Sequence, residues 1–231
     1  MSGIQTILNY CNGLTVDRRR VVGIQYTRNE IPRVSATPTK NPWKFTLDMP
    51  NRFRYSQARA LMEQLDLLDR ITPQVITFSN LPQLSWIFAY QGALGQTQLN
   101  GLTVSTFVGN QLVLTGLPAV SASTVLFAQN DLIQIGSLNE HPYPFTSTTQ
   151  VLRGSGGTVT VTTNRPNILT GSVAGEGLIV GNNCQFNMFC PNMPMYKLIP
   201  GGYIGSGATT TNNALLEFSD AFQLYEYVGG A

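Results

Sequence analysis

Apolar and polar positions alternate in short stretches along most of this 231-residue chain, the period of strands with one buried face. Val21–Tyr26 combines β-branched and aromatic residues, and Trp43–Leu47 alternates apolar with polar. Between them Pro32, Pro38 and Pro42, mixed with Ser and Thr, predict an extended loop. Gln74–Phe78 predicts another strand, stopped by Leu81-Pro82. Beyond it the clearest strands are Leu102–Phe107, Gln111–Leu114, Asp131–Ile135 and Thr158–Thr162, with Gly109-Asn110 and Gly156-Gly157 as turns. Trp86, Phe88 and Tyr90 also alternate as on a strand.

One segment breaks the period of two. Ala58, Leu61, Met62, Leu65 and Leu68 recur at helical spacing. Ser56 can cap the first turn, and Arg59–Glu63 and Asp66–Arg70 pair four residues apart. Pro73 disfavours helix at Thr72, which places the helix over 56–70. Its leucine stripe needs a sheet to cover.

Near the far end, Gly201–Asn213 is a polar, glycine-rich connection, followed by Ala214–Phe218 and the aromatic stretch Phe222–Val228. A terminal strand of that kind needs a host sheet, and the N-terminal strands with their helix supply one. The pattern therefore predicts a mainly β protein with a discontinuous first domain, 1–82 and 205–231. Residues 83–204 form an inserted β domain, a small barrel or sandwich. Met1–Leu14, with Ile4, Ile7, Leu8 and Tyr10, is either a tail gripping an adjacent subunit or a helix capping its own domain.

Charge changes this picture from a fold to an assembly. Only 11% of residues are charged, against about a quarter in an ordinary soluble domain. A surface so poor in charge resists aggregation poorly unless partners cover it. Residues 1–80 hold eleven bases against six acids; 81–200 balance; 201–231 hold Glu217, Asp220 and Glu226 and no base. The one basic run is Arg18-Arg19-Arg20. Unlike ends suit a head-to-tail interface, with Arg18, Arg19 and Arg20 of one copy meeting Glu217, Asp220 or Glu226 of the next. The competing readings of the run are a solvated strand start and a phosphate-binding role.

Catalytic chemistry finds little support in the residues. No phosphate loop, nucleophile elbow or metalloprotease pair occurs. His141 is the only histidine and lies in a proline-bracketed turn, Asn139–Pro144. Asp131 and Glu140 are conceivable as a carboxylate pair, with nothing to set their separation. Gly154–Thr158 lacks the lysine and helix of a phosphate loop and reads as a mobile hairpin tip. Cys11, Cys184 and Cys190 are odd in number and wrongly spaced for zinc, so buried thiols are expected. No catalytic residue, metal or cofactor is expected. Trp86 and Tyr90 could stack on a sugar ring or a partner, against the default of core packing. No apolar run approaches the roughly 18 residues of a membrane span, and Met1–Tyr10 lacks secretory-signal features. Synthesis in a cytoplasm without membrane insertion is the expectation.

The order of parts, Val21–Leu47, the helix Ser56–Arg70, Val75–Phe78 and the closing Leu216–Val228, resembles the divided β-sandwich-plus-helix of tail-tube-like proteins of tailed bacteriophages. Gln129–Gln134, Tyr143–Phe145 and Val151–Val161 are similar in style to minor tail proteins. The resemblance, to distal tail and baseplate proteins, implies a virion component without enzymatic activity. It implies a ring, commonly sixfold, that joins tail tube to baseplate hub and anchors neighbouring baseplate proteins. Genome DNA would meet it only by passing through the channel. A carbohydrate- or receptor-binding β module is the alternative.

Overall fold

In this computed structural model the described residues are 3–18, 22–26, 32–36, 42–50, 53–54, 59, 62–64, 72–136, 142–169, 171–192, 194–199 and 215–228. The chain opens with α1 (Gly3–Leu8) and runs through β1 (Gly13–Asp17), β2 (Val22–Tyr26), β3 (Pro32–Ala36), β4 (Lys44–Asp48), β5 (Phe53–Arg54) and β6 (Gln74–Thr77). A short α2 (Gln96–Leu99) precedes β7 (Thr103–Val108), β8 (Gln111–Thr115), β9 (Val125–Phe127), β10 (Leu132–Ile135), β11 (Phe145–Thr146), β12 (Val151–Leu152) and β13 (Val159–Thr162). Then follow β14 (Leu178–Val180), β15 (Gln185–Phe189), β16 (Tyr196–Ile199), β17 (Leu215–Phe218) and β18 (Phe222–Glu226). The protein is mainly β, its registered strand pairs are antiparallel, and no sheet among the described residues closes into a barrel.

Two compact units divide the chain. Unit 1 comprises 1–17, 43–76 and 188–227; unit 2 comprises 18–42, 77–187 and 228–231. The first unit is therefore discontinuous, but its borders differ from those read off the sequence. The long middle segment of unit 2 runs from Thr77 to Asn187; beyond it Met188 and Phe189 pair with Glu226 and Tyr225, and β16 pairs with β17. Arg18–Pro42 groups with unit 2. There β2 and β3 pair with each other, from Val22↔Ala36 to Tyr26↔Pro32, so part of the expected proline loop is a strand. Pro32 sits at the first position of β3, where its missing N–H is tolerated.

Unit 1 holds the five-stranded sheet β1-β4-β18-β15-β6 and the three-stranded sheet β16-β17-β5. Alternation decides the register of its centre. Phe45 and Leu47 point inward from β4, Phe222 and Leu224 from β18, and the pairs Phe222↔Leu47 and Leu224↔Phe45 put like with like. A one-residue slip would turn this row to solvent. Ile4, Ile7 and Leu8 of α1 are buried, and the Ile4 N–H donates to Gln74 Oε1 at 3.0 Å. Between the two readings of the N-terminal segment, the helix packs on its own unit. Of the helix expected over 56–70, Arg59 and Met62–Gln64 are helical; the remainder lies outside the described residues, as do His141 and the Gly201–Asn213 connection.

Unit 2 is organised around Leu112 and Leu114 of β8, Leu126, Phe127, Ile133, Phe145 and Val161, all at 0% exposure. The β7–β8 hairpin turns at Gly109-Asn110 as the sequence predicts, and Gly109 takes φ +55. A bulge at Ser105 shifts the register between Val104 and Thr106. Arg165 is fully buried, its guanidinium 3.8 Å from the Tyr143 ring centroid and an Nη2 donating to the Pro144 carbonyl. The tip at Gly154–Gly157 is tied down: Arg153 Nη1 donates to the Gly154 and Gly156 carbonyls at 2.8 and 2.9 Å.

Candidate functional site

Glu217 and Asp220, two of the acids assigned to an interface, come together on unit 1. Glu217 is the half-buried third residue of β17, and Asp220 lies exposed in the turn to β18. With Asp48 at the end of β4 they line a groove of about 200 Å3, and Leu47, Met49 and Phe218 add apolar surface to it. Ser219 completes the turn. Its N–H and Oγ donate to the Met195 carbonyl at 2.9 and 3.1 Å. Asp220 Oδ2, 3.0 Å away, is the alternative acceptor for the single Ser219 Oγ proton. The three carboxylates do not converge: no group of three or more His, Cys, Asp or Glu among the described residues could hold a metal ion.

Glu226 belongs elsewhere. It is 5% exposed, and its carboxylate accepts the Trp43 N–H at 2.9 Å while its own N–H donates to the Trp43 carbonyl at 2.9 Å. The alternation of β18 turns Glu226 to the same side as Phe222 and Leu224, so it satisfies the backbone beside Trp43 inside the unit. Arg18 is half-buried in unit 2, donating to Thr146 Oγ1 at 2.8 Å and Asn130 Oδ1 at 2.7 Å. Those bonds explain its place without a neighbouring copy. Arg19 and Arg20 lie outside the described residues.

The aromatic trio does not form a stacking platform. Residues 81–88 make successive turns, with Leu84, Ser85 and Ile87 N–H groups bonded three or four residues back, and no strand. Trp86 is 72% exposed, its Nε1 donating to the Gln83 carbonyl at 3.0 Å. Phe88, with φ +60, packs against Phe78 and Phe186 instead. Tyr90 is half-buried, edge-on to Phe127, with its hydroxyl donating to the Leu126 carbonyl. Burial pushes the Tyr90 phenol up to about 12. A Cβ at Gly92 would stand 2.1 Å from that hydroxyl, so only glycine fits beside it.

Nucleophile chemistry is muted in the same way. Cys11, Cys184 and Cys190 are free and buried. Burial raises the Cys11 thiol and raises that of Cys184 strongly, which keeps both protonated at neutral pH. Asp131 is 3% exposed and accepts the N–H groups of Gln91 and Ala128, each at 2.8 Å. It fastens two loops of unit 2. Burial raises its carboxyl, with the backbone bonds opposing the shift.

Sequence reading passed over one surface of unit 1. β16 is an edge of its sheet, and Leu198 is 49% exposed, Lys197 exposed, and the preceding Met195 78% exposed. Its signal was present: Met195–Ile199 is apolar apart from Lys197 and is bounded by Pro194 and Pro200, and proline in sheets is confined to edges and strand ends. No protein-family model matches this chain, and no curated protein matches it. No helix among the described residues is long and apolar enough to cross a membrane.

Proposed function

We propose that this protein is a non-enzymatic structural subunit of a tailed-phage virion. It forms a ring, sixfold on the family resemblance, that joins tail tube to baseplate hub and anchors neighbouring baseplate proteins. The observation that carries the reading is the unit 1 sheet. There Gly13–Asp17, Lys44–Asp48 and Phe222–Glu226 lie side by side although they come from opposite ends of the chain. A charge-poor chain whose two ends share one sheet and expose apolar edge residues is suited to burial against copies of itself.

The head-to-tail contact proposed from the sequence narrows to the acids of the groove. Glu217 and Asp220 face Arg19 and Arg20 of the next copy, whereas Glu226 and Arg18 already have partners in their own units. Light scattering of the purified full chain tests the reading, with a closed ring of identical copies expected. Arg19→Glu combined with Arg20→Glu should lower the assembled mass. A chain that stays monomeric at every concentration, with or without tail-tube and hub proteins, would overturn the proposal.

Trp86 keeps the second reading, a carbohydrate- or receptor-binding module, in view. An indole this exposed, pinned by its own N–H bond, offers one stacking face. Tyr90, turned to Leu126, does not add a second. Binding on a glycan array that disappears in Trp86→Ala would favour that module over the ring.

A further inference from the structure

Two open strand edges in unit 1 complement each other. β16 is paired only on its β17 side, and β1 only on its β4 side, within sheets of the described residues. An edge strand with exposed apolar side chains is a template for another strand. Of β1, Thr15 is exposed and Val16 is 37% exposed. Of β16, Leu198 is 49% exposed beside exposed Lys197. Each edge therefore carries one aliphatic residue next to one residue of opposite charge: Val16 beside Asp17, and Leu198 beside Lys197.

We propose that β1 of one copy adds antiparallel to β16 of the next, with Asp17 opposite Lys197 and Val16 opposite Leu198. This inference rests on the ring reading and names the surfaces that join its subunits. The register follows from rows already present across β17 and β16. Lys197 stands opposite Glu217, and Leu198 opposite the buried Leu216. Adding β1 extends one row as Glu217, Lys197, Asp17 and the other as Leu216, Leu198, Val16. Opposed residues in an antiparallel pair share a face, so the acid–base–acid row and the aliphatic row stay on opposite faces.

In the antiparallel sense the incoming strand ends at the start of β16, the end where the Met195 carbonyl accepts from Ser219 beside the acidic groove. The contact is heterologous, one edge meeting a different edge, as a ring requires.

Cysteine cross-linking of the full chain tests the register. Val16→Cys and Leu198→Cys chains, mixed and oxidised, should give a one-to-one cross-linked pair that neither variant gives alone. The native thiols are buried and stay out of the reaction. Lys197→Asp should weaken self-association roughly fivefold, and adding Asp17→Lys should recover part of that loss, the remainder being held back because the swapped charges stand opposite Glu217 and Lys44 of their own chains. Assembled mass without the mixed cross-link would overturn the strand pairing and leave the ring reading standing. A monomer throughout, with no cross-link, would end both. A mixed cross-link with no recovery at all from the charge swap would overturn the pairing of Asp17 with Lys197.

Discussion

The two units reach similar buried cores by different routes along the chain. In unit 1, neighbours in the central sheet are remote in sequence: β4 pairs with β18, and β15 with β18. In unit 2, much of the pairing is between strands that follow one another, as in β7 with β8 and β10 with β11. Closing long loops before contacts form is entropically costly. Unit 1 is therefore expected to assemble later than the local hairpins of unit 2. The difference also bears on function: acids from β17 and the turn after it, an apolar residue from β4, and both open edges belong to the unit built from remote strands.

The severest way to break this comparison is a cavity at the unit 1 seam. Phe222 is 0% exposed and lies opposite Leu47, so Phe222→Ala should cost about 3–5 kcal/mol. Differential scanning calorimetry should show the unit 1 transition lowered or lost while a unit 2 transition persists. One shared transition, shifted as a whole, would mean that the units do not unfold independently.

A milder probe of the same seam is Glu226→Ala, which leaves the buried Trp43 N–H without its carboxylate acceptor. The expected loss is about 1–3 kcal/mol, read as a lower urea midpoint for unit 1. A neutral outcome would indicate that water or a shifted side chain replaces the bond.

Unit 2 can be addressed separately through pH. Asp131 has its carboxyl raised by burial, so the folded state holds that proton more tightly than the unfolded chain. Its contribution is fully present below the unfolded value near 4 and is lost as pH rises through the raised folded value. Wild-type unit 2 should accordingly gain stability on mild acidification relative to Asp131→Asn, in paired melts from pH 7 to pH 4. Parallel curves for the two proteins would contradict the direction of the shift.

The smallest effect is expected at Trp86. With the indole mostly in solvent, Trp86→Ala should change stability by about 0.5 kcal/mol or less. A larger loss in thermal melts would place the indole in the support of unit 2.

Much of this was legible in the residues. The alternation in Trp43–Leu47 and Phe222–Val228 marked two half-buried strands, and the N-terminal strands were the expected host for the terminal one. Gly109-Asn110 announced its hairpin, because a two-residue turn of that hand needs positive φ. Local pattern misled where several conformations share one spacing. Trp86, Phe88 and Tyr90 alternate as strand residues would, yet backbone bonds in 81–88 wind them into turns and send the three rings in different directions. The proline-containing stretch after Tyr26 includes a strand because β2 offers it a partner.

What the sequence by itself determined is the β class and the low share of charged residues, 11% of the chain; each follows from periodicity and composition, which act residue by residue. Tertiary structure alone decided that Glu217 and Asp220 share a groove with Asp48 while Glu226 turns inward to Trp43, and that β16 is an edge. Those outcomes depend on which strand lies beside which, and hydrogen-bonded neighbours remote in sequence leave no mark on the local pattern.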